Sequence, residues 1–230
     1  MKVGTDALLL GAWADVSKAR RIVDAGTGSG IVALMACQRA PNAEVVGVEL
    51  EPNAVIEAKA NVARSCWSDR ISVVEDSIQS FATAAENEGL FDTFLINPPF
   101  FHGKPKSPDK ARNLARHDDT LPYESFLDAA WKLLSEEGDL QLVWPWDRWT
   151  ELKLGAEMRG FHLLRKAEIC GREGHEPLRV LSHWTKRITG EIHQNEVISV
   201  ELGKRLDGQP QLSDRYKALL SPYVISWPEP

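Results

Sequence analysis

The chain of 230 residues is poor in cysteine, has no long hydrophobic run, and contains no repeat, low-complexity tract or Gly/Ser linker. Its three cysteines, Cys37, Cys66 and Cys170, are odd in number, far apart and in no metal-ligand spacing. That pattern excludes a disulfide framework and a zinc site, so no metal is expected and a reducing cytoplasm is. No apolar run approaches the ~20 residues that span a bilayer, so no membrane is expected as a partner. Lys2 followed by Leu8, Leu9 and Leu10 superficially resembles a secretion signal, but Asp6 interrupts the run and the stretch is short. Without linkers, residues 1–230 read as a single domain, expected to be a monomer. The chain also lacks an excess of base: 27 Lys plus Arg stand against 33 Asp plus Glu, a net charge of −6. A uniformly basic nucleic-acid binder is thereby excluded.

What is present is a soluble globular composition, with 43% apolar and 26% charged residues. Short β-branched runs alternate with helical patterns. The spacing predicts strands at Ile22–Asp24, Glu44–Leu50, Ile71–Glu75, Phe91–Ile96 and Leu140–Val143. Helices are expected at Ile31–Ala40, from Pro52 to about Ser65, and over Tyr123–Glu137, where Gly138 is a stop. Beyond them, Thr150–Arg159 reads as helix, and His162–Ile169, Leu178–Trp184 and Glu196–Leu202 as strands joined like hairpins. The alternation predicts a doubly wound, mostly parallel α/β sheet, whose ligands sit at the carboxyl ends of the strands.

The chemistry-bearing motifs all fall at those ends. Asp24-Ala25-Gly26-Thr27-Gly28-Ser29-Gly30 links the first strand to a helix. Ile31 stands where a dinucleotide fingerprint needs glycine or alanine, which disfavours nicotinamide and flavin enzymes. The turn is either a ligand cradle or simply a tight connection. Glu49 ends the second strand, placed to accept ribose hydroxyls or to sit solvated. Asp76 ends the third, as a ligand group or a helix cap. Together the three acids suit a cationic, adenosine-containing ligand. Asn97-Pro98-Pro99-Phe100 ends the fourth strand. An Asn carbonyl and a backbone carbonyl held by the prolines can accept two hydrogen bonds from one planar amino group, with Phe100 stacking on its ring system. A plain X-Pro turn is the alternative.

Charge is uneven. Residues 44–92 hold ten acids and three bases, whereas residues 101–117 hold five bases and one acid. Lys104, Lys106, Lys110, Arg112 and Arg116 follow the Asn-Pro-Pro motif, as an RNA phosphate grip or a solvated loop. A second basic stretch covers residues 159–187, with seven bases and three acids. Trp144, Trp146 and Trp149 are stacking surfaces or core.

On these motifs the sequence resembles the class I S-adenosylmethionine-dependent methyltransferases, and among them the bacterial tRNA valine (adenine-N6) methyltransferase family. Lys2-Val3-Gly4-Thr5-Asp6, Leu9-Leu10-Gly11-Ala12-Trp13, Asp24 to Gly30, Val48-Glu49, Asn97 to Phe100, Ala115-Arg116-His117 and Arg179-Val180-Leu181 carry the similarity. The resemblance implies a seven-stranded Rossmann-like methyltransferase sheet with an antiparallel carboxyl-terminal hairpin. It also implies S-adenosylmethionine as cofactor and tRNA as substrate, methylated at the adenosine 3′ of the anticodon. Asp24, Gly26, Thr27, Gly28 and Gly30 would then line the methionine side, Glu49 the ribose and Asp76 the adenine amine. Thr5 and Asp6 would close the pocket near the methyl group. Asn97, also beside the cofactor, would hold the target base with Pro98, Pro99 and Phe100. Phe100 stands where tyrosine is commoner, and a segment usual before Lys2 is missing, leaving an incomplete amino-terminal lid as the expectation. Guanine-N2 rRNA or protein-glutamine methylation, or a non-catalytic RNA-binding module, would share much of this pattern.

Overall fold

The computed structural model describes residues 4–99, 123–188, 194–205 and 207–227. Five strands, β1 (Arg21–Ala25), β2 (Glu44–Glu49), β3 (Ile71–Glu75), β4 (Phe91–Ile96) and β5 (Leu134–Pro145), run parallel. They continue into β7 (Pro177–Thr185), antiparallel to both β5 and β6 (His162–Arg172). The spatial order is β3-β2-β1-β4-β5-β7-β6-β8-β9. The eight strands expected from the spacing are all present, but β8 (Gln194–Lys204), expected to join like a hairpin, runs parallel to β6 instead; with β9 (Pro210–Leu212) the sheet has nine strands, two more than the resemblance implies.

Side chains alternate across the pleat and feed two cores. Ile22, Val45, Leu95, Val143 and Leu181 face α1 (Thr5–Trp13), α2 (Ile31–Arg39) and α7 (Asp214–Leu220). Val23, Phe94, Ile96, Leu142 and Trp184 face α4 (Ile78–Phe81), α5 (Tyr123–Leu133) and α6 (Trp149–Met158). The remaining helix, α3 (Pro52–Ala63), starts at a proline, where the lost N–H is not needed, and Glu51 caps it by accepting from the Ala54 amide at 2.7 Å. Among the described residues no helix is long and apolar enough to cross a membrane. The described structure confirms the doubly wound class and most boundaries.

Three segments depart from the sequence pattern. The helix expected to reach Glu137 ends at Leu133, because Leu134 pairs with Phe91 of β4 and begins a strand there. The register then slips before Asp139, and a Cβ on Gly138 would lie 3.0 Å from the Phe91 carbonyl oxygen. Gly138 therefore permits a close backbone approach in a bulge, where the sequence suggests a helix stop. A carboxyl-terminal helix, α7, is capped by Ser213, whose Oγ accepts from the Tyr216 amide at 3.1 Å. Near the amino terminus, the stretch resembling a leader forms α1 and buries Leu9, Leu10 and Trp13.

α1 is fixed to the sheet at its carboxyl end. Gln141, fully buried in β5, donates to the Asp15 carbonyl and accepts from the Asp15 amide, both at 2.7 Å. Arg39 of α2 donates to the carbonyls of Gly11, Ala12 and Ala14 at 2.6–3.2 Å, satisfying groups that a helix end leaves open. Gln141→Leu keeps the side-chain volume and removes both bonds to Asp15. It is expected to lower unfolding free energy by roughly 1–3 kcal/mol, read as a lower urea midpoint at unchanged m.

Candidate functional site

The glycine turn leaves β1 at the carboxyl rim of the sheet. Gly26, Gly28 and Gly30 all adopt positive φ, at 66°, 57° and 83°, a region side chains other than glycine rarely enter. The amides of Gly26 and Thr27 donate to the Val48 carbonyl at 2.8 and 3.1 Å, pinning the turn to β2. Thr27 is buried, and its hydroxyl donates to Asp24 Oδ2 at 2.5 Å, as does the Ala33 amide at 3.2 Å. A side chain at Gly47 on β2 would enter this packing, since its Cβ would stand 2.9 Å from Thr27 Cγ2. The sequence motif missed Gly47, because its requirement comes from the neighbouring strand.

Glu49 ties the same turn from the next strand end. Its Oε2 accepts from the Gly28 amide, and its Oε1 from the amides of Leu50 and Glu51, all at 2.9 Å. Asp76 follows β3, donates its amide to the Glu49 carbonyl at 3.0 Å and accepts from the Ser77 amide at 2.7 Å. The cap of α4 is Ser77, which accepts from the Ser80 amide at 3.0 Å, so Asp76 is not the capping residue. Strand order makes Asp24, Glu49 and Asp76 occupants of three adjacent strand ends.

Asn97 lies on the other side of β1. Ile96 pairs with Ala25, so Asn97 leaves β4 directly beside the glycine turn. It continues the alternation through Leu95 and thus belongs to the face covered by α1 and α2, as Asp24 does through Ile22. Among the described residues its amide has no hydrogen-bond partner. Pro98 is buried and Pro99 exposed. Thr5 and Asp6 form the first turn of α1, with Asp6 Oδ2 2.8 Å from Arg179 Nε. Phe100 and the proposed RNA contacts Lys104, Lys106, Lys110, Arg112 and Arg116 lie outside the described residues.

The second basic stretch is largely spent on ties within the chain. Arg159 pairs with Asp128, Lys166 with Glu168, Arg179 with Asp6 and Arg187 with Glu137. Arg165 donates to the Trp13 carbonyl and Lys186 to that of Leu134. Trp144 is core, its Nε1 donating to the Arg148 carbonyl at 3.1 Å, while Trp146 and Trp149 are half-buried beside Lys166. No group of three metal-ligating side chains occurs among the described residues.

Residues 2–168, which carry the whole rim, match the methyltransferase small domain family. The chain belongs to that family. It is 38% identical to a tRNA1(Val) (adenine(37)-N6)-methyltransferase of Bacteroides thetaiotaomicron, over 98% of this chain and 91% of the relative. A protein of the same name from Phocaeicola vulgatus is 44% identical over 79% of this chain and 75% of its own. Among solved structures, a protein from Agrobacterium tumefaciens described as a predicted O-methyltransferase shares the fold with a TM-score of 0.69. That match has 20% identity and covers 94% of this chain and 96% of that one. TrmN from Thermus thermophilus aligns with a TM-score of 0.55 and 24% identity, over 79% of this chain and 47% of its own. In this family member Asp24 and Glu49 bond the glycine turn itself, so both serve as its scaffold.

Asp24 is 1% exposed, and burial pushes its carboxyl from 3.8 up to about 7 despite the bonds from Thr27 and Ala33. The folded chain therefore holds this proton more tightly than the unfolded one. The resulting stability is complete below pH 3.8 and is lost as the pH rises through about 7. Asp24→Asn removes the titration. Relative to the variant, the wild type is expected to lose roughly 2–3 kcal/mol between pH 5 and pH 8, measured by urea unfolding without ligand.

Proposed function

We propose that this chain transfers the methyl group of S-adenosylmethionine to the N6 amine of adenosine 37 in a valine tRNA. The observation that carries the reading is the similarity to the Bacteroides thetaiotaomicron enzyme along almost the whole of both chains. The chemistry of the rim supports it.

The donor set fits the cofactor. Three adjacent acids suit a cationic nucleoside, and backbone at positive φ lets the ligand come close to the main chain. Asp24 Oδ1, which takes neither bond received by Oδ2, would face the methionine end with Gly26, Gly28 and Gly30. Thr27 would act by holding Asp24. Glu49 Oε2 receives one amide and keeps acceptor capacity for a ribose hydroxyl. Asp76 would meet the adenine amine, and Thr5 and Asp6 would close the methyl side. Bound there, the cofactor supplies an electrophilic methyl group on a sulfonium.

The chain supplies alignment and electrostatics. Asn97 Oδ1 and the Pro98 carbonyl would accept the two protons of the target amine, directing its lone pair toward the cofactor side. Pro99 stiffens the turn and Phe100 would stack on the base. The adenosine leaves its stack to enter, as base-modifying enzymes require. Lys104, Lys106, Lys110, Arg112 and Arg116 would hold flanking phosphates. No general base is needed, because the methylated amine is acidic enough to release its proton to water.

Incubation with tRNA and methyl-labelled cofactor is expected to yield labelled N6-methyladenosine at position 37. Label on guanine, or on a protein glutamine, would replace the target assignment, and no label on any of them would leave a binding module. Asn97→Ala should lower kcat at least about 100-fold while cofactor affinity stays within about threefold, because the lost contacts are to the target amine. Cofactor affinity should also depend on pH. Asp24 must ionise to face the cationic ligand, so Kd is expected to rise by up to about tenfold per pH unit below pH 7 and to level off above it, measured by calorimetry.

A further inference from the structure

We propose that Arg179 is a positioning residue that seats the first turn of α1 on the rim beside Asn97 and so holds the cofactor side of the pocket shut. This rests on the reading of the rim as a cofactor site.

The argument begins with the two ends of α1. Arg179 pairs across the sheet with Pro145 of β5, and Leu142 of the same strand pairs with Ile96 of β4. Arg179 therefore stands about 10 Å beyond the level of Ile96, at the height that residues 97–99 reach. It alternates with Leu181 on the sheet face shared by Asp24, Asn97 and α1. At the opposite end, Asp15 is bonded to Gln141, four residues back along β5 from Pro145. Four strand residues advance about 13 Å, and the seven helical steps from Asp6 to Trp13 about 10.5 Å, to which the two non-helical residues leading to Asp15 add the rest. α1 thus lies antiparallel to β5, clamped at Gln141 and again at Arg179, with its amino terminus on the rim.

The two clamps are unequal. The carboxyl end is held by Gln141, Arg39 and Arg165, which donates to the Trp13 carbonyl at 2.7 Å. Among the described residues, the amino-terminal turn has one side-chain tie, the 2.8 Å bond from Arg179 to Asp6. Gly4 at the cap position provides no side-chain bond, and α1 is 9 residues long, shorter than helices that persist alone. Its first turn would fray without an anchor. The pair is partly sheltered, with side chains 20% and 28% exposed, and Arg179 Nη1 is fixed by the Leu178 carbonyl at 2.9 Å. Guanidinium geometry suits this task because two N–H directions are used at once.

The test uses the full chain with Arg179→Ala, Arg179→Lys, Asp6→Asn and the double variant Arg179→Ala/Asp6→Asn. Cofactor Kd by calorimetry, separate KM values for cofactor and tRNA, and Tm are measured for each. Arg179→Ala should raise cofactor Kd and KM by about tenfold, leave KM for tRNA within about twofold and shift Tm by less than about 3 °C. Arg179→Lys should recover part of the loss, and the double variant should be no worse than Arg179→Ala, because both remove one interaction. Unchanged cofactor Kd in Arg179→Ala, fully additive losses, or a loss of binding matched by unfolding would each overturn the proposal. If the wild type binds no cofactor, the reading of the rim fails instead. If it binds but labels another base, only the target assignment changes.

Discussion

The buried carboxyl group of Asp24 is the tie on which the rim depends. It receives the Thr27 hydroxyl and the Ala33 amide, joining the last turn of strand β1, the glycine loop and the start of α2 in one hydrogen-bonded unit. Neither donor has another described partner, so loss of the carboxyl would leave two polar groups in a dry site. The chain holds that unit at the cost of burying an ionisable group, a cost that the cationic ligand of the proposed function would relieve by supplying the missing opposite charge. In the proposed reading one carboxylate divides the two tasks, Oδ2 holding the scaffold and Oδ1 facing the ligand.

Around this unit the sheet order does the remaining work. Four adjacent parallel strands, β3-β2-β1-β4, bring Asp24, Glu49, Asp76 and Asn97 to one edge although they span 73 positions of sequence. Glu49 binds the main chain of two loops at once, which explains why an acid serves there better than an amide: both oxygens act only as acceptors. The antiparallel β7 brings its start to the same edge, so Arg179 reaches the amino-terminal helix from 173 residues away.

What could be read in the sequence was local. The strands flanking the glycine turn, the proline opening α3 and the strand ending at Asn97 follow from hydrophobic period and turn chemistry, and the structure places them where that pattern does. The parts not legible are those decided by another segment. Leu134 fits the helical spacing of Tyr123 to Leu133 equally well, and only its pairing with Phe91 makes it strand. Gly47 resembles any strand glycine until Thr27 is seen against it. The basic run of residues 159–187 looks like a nucleic-acid surface in one dimension, yet its cations mostly neutralise acids or cap carbonyls of this chain. Asp76 has the spacing of a cap, but the shorter side chain of Ser77 takes that position.

The last two strands, β8 and β9, have a consequence for the border of the sheet. Without β8, the 11 residues of β6 would form the border of the sheet and present a long row of unpaired amides and carbonyls. Such a border is a template for strand addition from a second molecule. β8 covers it, and the three-residue β9 pairs with β8 only over Glu201–Lys204, while Ser213 donates its hydroxyl and amide to the Ser199 and Val200 carbonyls just before that stretch. The carboxyl-terminal segment therefore shifts the sheet border from β6 to the first half of β8 and shortens it, at the end of the sheet farthest from β3.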